Sequence, residues 1–214
     1  MIISHEHRRY LQKHNNIGKG RYNGAYYYSR EICRYIIPLI DTDRNWITIN
    51  IPHIGVDHSI VFIHNNIHPE HYDWLSRYKD LILVCGIPET CEKVAHLGKA
   101  IYIPLSVKIS DVEPYKTEKT RDLAYVGRRG KRKGMEFPTS THFIEGLPRN
   151  RLLSEMAKYR RVYAVGRAAI EAKILGAEIL PYDDRFPDTS IWKVIDSSEA
   201  AKILQAKLDE IDKG

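Results

Sequence analysis

The sequence has little cysteine, no long apolar run and no internal repeat or low-complexity segment. Its three cysteines are odd in number and lack zinc-site spacing, which argues against a disulfide framework and indicates a reducing compartment. No apolar run approaches the roughly 20 residues of a membrane span, and the first residues show no signal-peptide pattern. With a hydrophobic content of 43%, typical of globular proteins, we expect a cytoplasmic protein without a membrane span.

The positive charge is distributed unevenly along the chain. The formal net charge is +6, and eight lysines and arginines lie between positions 116 and 134 against two acidic residues. Such a segment suits nucleic acid, an anionic lipid or a phosphorylated small molecule. Its place in a predicted strand–loop–helix frame favours a phosphate site, and a solvated cationic loop is the plain alternative.

Strand-like runs alternate with helical periodicity along most of the chain, which predicts an α/β fold with parallel sheets and crossover helices. The 214 residues suffice for one large domain or two small ones. We predict a domain over residues 1–115, a second over 116–190, and a C-terminal helix in 191–214. The helix after Pro148 is predicted to run through Tyr159. Predicted strands cover residues 1–3, 46–51, 59–63, 81–86, 101–105, 123–126, 141–144, 161–165 and 177–180.

Two glycine-containing segments suit an anion. A basic loop, G-R-R-G-K-R-K-G, follows the strand 123–126 and occupies residues 127–134. Arginine can hold phosphate with two parallel hydrogen bonds, and lysine acts as a point charge. Gly166 precedes the helix predicted over 167–175, where backbone N–H groups favour an anion. Because ligands of parallel sheets bind at the carboxyl ends of strands, we predict a phosphate site formed by these segments.

The resemblance to a known family rests on several segments in combination. Residues 125–128 with 133–134 read Y-V-G-R and K-G, 145–148 read E-G-L-P, and 166–177 read G-R-A-A-I-E-A-K-I-L-G-A. Together with the strand–helix–strand pattern over 81–105, they resemble the two-Rossmann-domain (GT-B) retaining glycosyltransferases, over roughly residues 59–182. The resemblance implies two small Rossmann-like halves with a cleft between them, residues 1–115 on the acceptor side and 116–190 binding the donor nucleotide.

The resemblance implies how a nucleotide-sugar donor would be held by its phosphates. Arg128 and Lys133 would stabilise the leaving diphosphate, where negative charge develops. Gly166, Arg167 and Ala168 would bind phosphate at the helix start. Surface charge and an ordinary strand-to-helix turn are the alternatives.

Further residues would position the nucleoside and the sugar by the same resemblance. Glu171 would accept the ribose hydroxyls, Gly146 and Leu147 would edge the base, and His64 would lie beside the donor sugar as the catalytic candidate. The alternatives are a glutamate complementing the helix dipole, a plain turn and a surface histidine. No metal or cofactor is expected, because the histidines near His64 lack zinc spacing and the nucleotide sugar is itself a substrate.

One departure from the family bears on activity. The family often places an acidic residue eight positions before the later glutamate, where this chain has Tyr163. The chain is also short for two full domains. The resemblance implies a glycosyltransferase acting on a hydroxyl acceptor, with nucleic acid or another polyanion as candidate acceptors. The second hypothesis is a catalytically inactive nucleotide- or nucleic-acid-binding protein of the same fold.

Overall fold

The computed structural model of the chain describes residues 2–3, 24–48, 56–63, 69–127 and 136–213. The chain forms two compact units. The first comprises Met1–Pro104 and Ser197–Gly214, and the second comprises Leu105–Asp196. The expected α/β class with two parallel-sheet halves is confirmed. The predicted domain boundary lay at 115/116; residues 105–115 instead belong to the second unit, and the C-terminal helix belongs to the first.

Nine strands and six α-helices make up the described regular structure. The strands are β1 (Ile2–Ile3), β2 (Asn45–Ile47), β3 (Ser59–Ile63), β4 (Leu81–Cys85), β5 (Lys99–Tyr102), β6 (Arg121–Val126), β7 (His142–Ile144), β8 (Tyr159–Tyr163) and β9 (Glu178–Leu180). The helices are α1 (Gly24–Glu31), α2 (Pro69–Leu75), α3 (Pro88–Val94), α4 (Arg149–Met156), α5 (Arg167–Ile174) and α6 (Ser197–Asp212). A π-helical turn, Ile32–Ile36, and a 3-10 turn, Ile37–Leu39, continue from α1.

The first unit is built on a five-stranded parallel sheet in the order β1-β2-β3-β4-β5. The two central strands, β3 and β4, are buried at every position, as expected for parallel strands covered on both faces. One face packs Val61 and Leu83 against Trp74 of α2 and Val94 of α3. Strand order follows chain order, so the connections of this sheet all step in one direction.

An ion-pair cluster lies on the loops leading into β2, β3 and β4. The ring of His58 hydrogen-bonds Asp80 through Nδ1 at 2.5 Å and Asp43 through Nε2 at 3.1 Å. These carboxylates, Asp80 foremost, raise the pKa of His58. The buried Arg44 pairs with Asp80 at 3.0 Å and with Asp212 of α6 at 3.7 Å. The cluster therefore ties the end of the C-terminal helix to the sheet of its own unit.

The second unit is built on a four-stranded parallel sheet in the order β7-β6-β8-β9. The chain steps from β6 outward to β7, then returns past β6 to β8. This reversal of strand order lies between β6 and β8, and in open parallel sheets it opens a crevice at the carboxyl ends where ligands bind.

The structure corrects the predicted helix through Tyr159. Helix α4 ends at Met156, and Tyr159 is the first residue of β8, where it pairs with Arg121 of β6. Met156 and Tyr159 are three residues apart, so helical periodicity extended the predicted helix. Pairing with β6 outweighed it, since a buried tyrosine is equally suited to a strand. The strand predicted over 161–165 accordingly begins and ends two residues earlier.

Candidate functional site

Three strands of the second sheet lead into glycines with positive φ. Gly127 follows β6 with φ 151°, Gly146 follows β7 with φ 68°, and Gly166 precedes α5 with φ 61° and ψ −136°. A Cβ on Gly127 would lie 3.0 Å from the hydroxyl of Tyr125. At Gly166 a Cβ has space, and the backbone conformation itself requires glycine. These turns place backbone close to any ligand at the carboxyl edge of this sheet.

A buried carboxylate joins the two helices that begin at this edge. Glu171 of α5 has a side chain that is only 4% exposed. Its Oε1 accepts a hydrogen bond from Nη1 of Arg149, the first residue of α4. The same oxygen accepts a second bond, 2.6 Å long, from Nε of Arg167, the first residue of α5. The two helix N-termini therefore lie side by side, each carrying a guanidinium and a positive end of the helix dipole.

Arg149 has no role predicted from the sequence. Its only signal was its position directly after Pro148, a place where helices start. Its partner Glu171 is 22 positions away, and periodicity does not predict which residues of two different helices meet. The structure thus brings Arg149 to the predicted residues Arg167 and Glu171.

An aromatic cluster occupies the carboxyl end of the second sheet. Phe143 and Tyr163 both pair in register with Tyr125, so the three side chains point to one face of the sheet. Phe137, on the segment before β7, packs on all three with ring centroids 4.8 to 5.7 Å apart. Tyr182, after β9, closes the cluster against Tyr125 at 5.1 Å. Such pairs each contribute about 0.5–1.5 kcal/mol beyond their buried area, so the cluster stabilises this end of the sheet.

Tyr163 lies where the resemblance expects an acidic residue, and it is a member of this aromatic cluster. Burial raises the pKa of Tyr125 and, more strongly, that of Tyr182. Both phenols are therefore neutral at physiological pH. This end of the sheet therefore has buried, neutral tyrosines near the position where the resemblance expects a carboxylate.

Several residues of the basic segment serve the second unit itself. Lys119 donates to the carbonyls of Ala157 and Leu175 at 2.8 and 2.7 Å, and burial lowers its pKa. Arg121 bonds Glu155 and the Tyr159 hydroxyl, the latter at 2.8 Å. Part of the cationic stretch therefore holds the fold together and is not displayed to a polyanion.

An open groove of about 490 Å³ runs along the outer edge of the second sheet. It lies between β7 and α4 and is lined by polar and apolar side chains, among them His142, Glu145, Arg151 and the predicted residue Leu147. Leu147 is 39% exposed. The groove has the volume of a small-molecule site, and its lining includes neither Gly166 nor Glu171.

The predicted site residues divide into two groups. Gly146, Leu147, Gly166, Arg167, Ala168 and Glu171 all lie in the second unit, after β7 or at the start of α5. His64, Arg128 and Lys133 lie outside the described residues. The first group occupies the carboxyl edge that the sequence predicted for it, and Arg149 connects its two halves.

Over the described ranges, no three histidine, cysteine or acidic side chains are placed to hold a metal ion. No helix in that same part of the chain combines the length and apolar character needed to cross a bilayer.

Comparison with known proteins gave no relative. No family model, no curated protein and no solved structure matches this chain. The likeness to glycosyltransferases therefore depends on the residues quoted from the sequence.

Proposed function

We propose that the second unit binds a nucleoside diphosphate at the carboxyl ends of β6 and β8, and that the protein is a glycosyltransferase using a nucleotide-sugar donor. The observation that carries the proposal is the reversal of strand order between β6 and β8. Gly127 directly follows β6, and Gly166 with α5 follows β8. The described strands of the first unit lie in its sheet in the same order as they occur along the chain, so no such reversal is found among them.

The residues at this edge suit the parts of such a donor. The diphosphate would lie against the start of α5, where backbone N–H groups at Arg167 and Ala168 point outward along the helix axis. Gly166 would allow close approach. The Oε2 of Glu171 would accept a ribose hydroxyl, since both arginine bonds go to Oε1. Gly146 and Leu147 would edge the base.

Transfer of the sugar would need further groups that do not lie at the carboxyl edge of the second sheet's described strands. Arg128 and Lys133 would stabilise charge on the departing diphosphate, and His64 would assist the acceptor hydroxyl. The proposal includes the two-domain arrangement of the resembled family, with the first unit on the acceptor side. The proposed reaction uses no metal ion. The acceptor is a hydroxyl compound, and nucleic acid is one class of acceptor to test.

A specific observation favours a second candidate function. Tyr163 replaces the acidic residue expected from the resemblance and is packed against Phe137. A carboxylate is therefore missing from the place where the family often has one. The second candidate is a protein that binds a nucleotide or nucleic acid with this edge and transfers no sugar.

Calorimetric titration with ADP, GDP and UDP, followed by incubation with the matching nucleotide sugars, tests both functions. A glycosyltransferase binds one diphosphate and releases it from the sugar donor in the presence of an acceptor. The second function predicts nucleotide binding without release, or nucleic-acid binding that weakens steeply with salt. Absence of binding by every nucleotide and nucleic acid tried would refute both.

A further inference from the structure

Two of the three cysteines belong to one apolar cluster of the first unit. Cys85 is the last residue of β4 and is completely buried, and Leu83, two residues before it, lies in the same cluster. Cys91, the fourth residue of α3, is partly buried and packs against that cluster. Both cysteines carry free thiols, so two oxidisable groups lie in one compact part of the molecule.

The spacing along both elements brings the two thiols to the same interface. Leu81, Leu83 and Cys85 alternate along β4 and all belong to the cluster, so they lie on one face of the sheet. Cys91 and Val94 are three residues apart, which puts them on one side of α3, and both pack in this cluster. The side of α3 that carries Cys91 therefore rests on the sheet face that carries Cys85.

The direction of α3 decides to which end of β4 it brings Cys91. Only two residues separate the end of β4 from the first residue of α3, so the helix starts beside the carboxyl end of the strand. Beyond the other end of α3, a Cβ on Gly98 would lie 2.7 Å from the carbonyl oxygen of Leu81, the first residue of β4. The helix therefore runs back along the strand, and Cys91, which precedes Val94 by about one turn, is the nearer of these two residues to Cys85.

The ionisation of each thiol responds to the other. Burial raises the pKa of Cys85, and the neighbouring Cys91 raises that pKa further. Burial also raises the pKa of Cys91, and the Cys85 thiol opposes part of that rise. This mutual effect agrees with the packing of the two side chains in one cluster. Because the thiolate is the nucleophile in thiol oxidation, both cysteines should react slowly at neutral pH.

We propose that Cys85 and Cys91 are a redox-sensitive pair that closes to a disulfide when a hydroperoxide oxidises Cys91. The site lies in the first unit and is independent of the nucleotide proposed for the second. A disulfide there would tie α3 to the end of β4 by a covalent bond, and reduction by a thiol would release it.

The reaction has two steps, with hydrogen peroxide as the oxidant. Cys91 is the more exposed thiol, so its thiolate attacks one oxygen of the peroxide; an S–O bond forms, the O–O bond breaks, and the hydroxide that leaves becomes water on protonation. The sulfur of Cys85 then gives up its proton and attacks the sulfenic sulfur of Cys91; the S–S bond forms, the S–O bond breaks, and a second water leaves. Two thiols are thereby oxidised by two electrons, and one peroxide is reduced to two waters.

A time course with hydrogen peroxide on the full-length protein tests the pair. At each time the protein is denatured in iodoacetamide, digested with trypsin and analysed by mass spectrometry. One tryptic peptide, residues 80–93, carries both Cys85 and Cys91, and another, residues 31–34, carries Cys33. We expect the peptide 80–93 to lose both alkyl groups together and to become lighter than its dithiol form by two hydrogen atoms, while Cys33 stays alkylated. Dithiothreitol should restore both thiols.

Two alanine variants separate the pair from general thiol oxidation. Cys91→Ala places the best helix former in α3, so the variant should fold, and its Cys85 should stay alkylated through the same exposure. The matched control, Cys33→Ala, changes the cysteine of the π-helical turn and should leave the oxidation of the peptide 80–93 unchanged.

Three results would overturn the proposal. The first is a wild-type peptide 80–93 that keeps both alkylated cysteines when Cys33 has been oxidised. The second is oxidation of Cys91 to the sulfinic acid with Cys85 still alkylated, since a neighbouring thiol would have captured the sulfenic acid first. The third is a disulfide that joins Cys33 to Cys85 or Cys91.

Discussion

Replacing Glu171 by glutamine tests how strongly this buried carboxylate stabilises the second unit. Glutamine has the same size and keeps an oxygen acceptor, so the change removes charge without opening a cavity. A hydrogen bond to a charged group contributes about 1.5–3 kcal/mol, and a neutral one about 0.5–1.5 kcal/mol. In the glutamine variant each of the two arginine bonds keeps a charged donor but has a neutral acceptor, so each loses part of this difference, about 1 kcal/mol. We expect Glu171→Gln to lower the free energy of unfolding by about 2 kcal/mol.

Urea denaturation followed by circular dichroism measures this loss. The control is Glu178→Gln, on an exposed residue of β9, which should leave the urea midpoint unchanged. Equal midpoints for the two glutamine variants would refute the assigned role of Glu171.

Three further predictions concern other described features. Gly166→Ala forces alanine into a conformation that costs about 1–3 kcal/mol, and it should lower both the urea midpoint and diphosphate affinity, as calorimetry can measure. Lys119→Met leaves two backbone carbonyls without donors and should cost about 1–3 kcal/mol in the same denaturation assay; an unchanged midpoint would contradict it. The carboxylate of Asp80 raises the pKa of His58. The ion pair between them therefore stabilises the fold below about pH 6.5, and this stabilisation is lost as the pH rises through the raised pKa of His58. His58→Gln should therefore lower the melting temperature at about pH 6 more than at about pH 9, and an equal loss at both would refute the linkage.

The strands were the most predictable part of the fold. The apolar runs over 59–63 and 81–86 predicted β3 and β4 nearly to the residue, because a short, fully apolar run between turns suits a strand buried on both faces. The strand predicted over 46–51 is described only as Asn45–Ile47, and residues 49–51 lie outside the described residues.

Two properties of the fold depend on contacts that sequence patterns do not encode. The order β7-β6-β8-β9 is set by which strands pair, and periodicity carries no information on pairing partners. The C-terminal helix α6 joins the first unit through contacts such as Ser197 with Glu31 at 2.7 Å, although 166 positions separate the two residues.

The sequence predicted the position in the fold of some candidate-site residues. A glycine before a helix and the likeness to a known motif singled out Gly166 and Glu171, and α5 carries Glu171 directly after Gly166; their binding roles stay predictions. Arg149 was not predicted, because its bond to Glu171 is a contact between two different helices. Tyr163 stands where the resemblance expects an acidic residue, and in the structure it packs against Phe137.

Mapping of backbone amide shifts by NMR during titration with the best-binding nucleoside diphosphate tests the central claim most directly. If the diphosphate binds where the strand order reverses, the largest shifts will fall on Gly127, Gly146 and the residues 166–168. Shifts confined to the first unit, or to the amino ends of the second unit's strands, would contradict the claim.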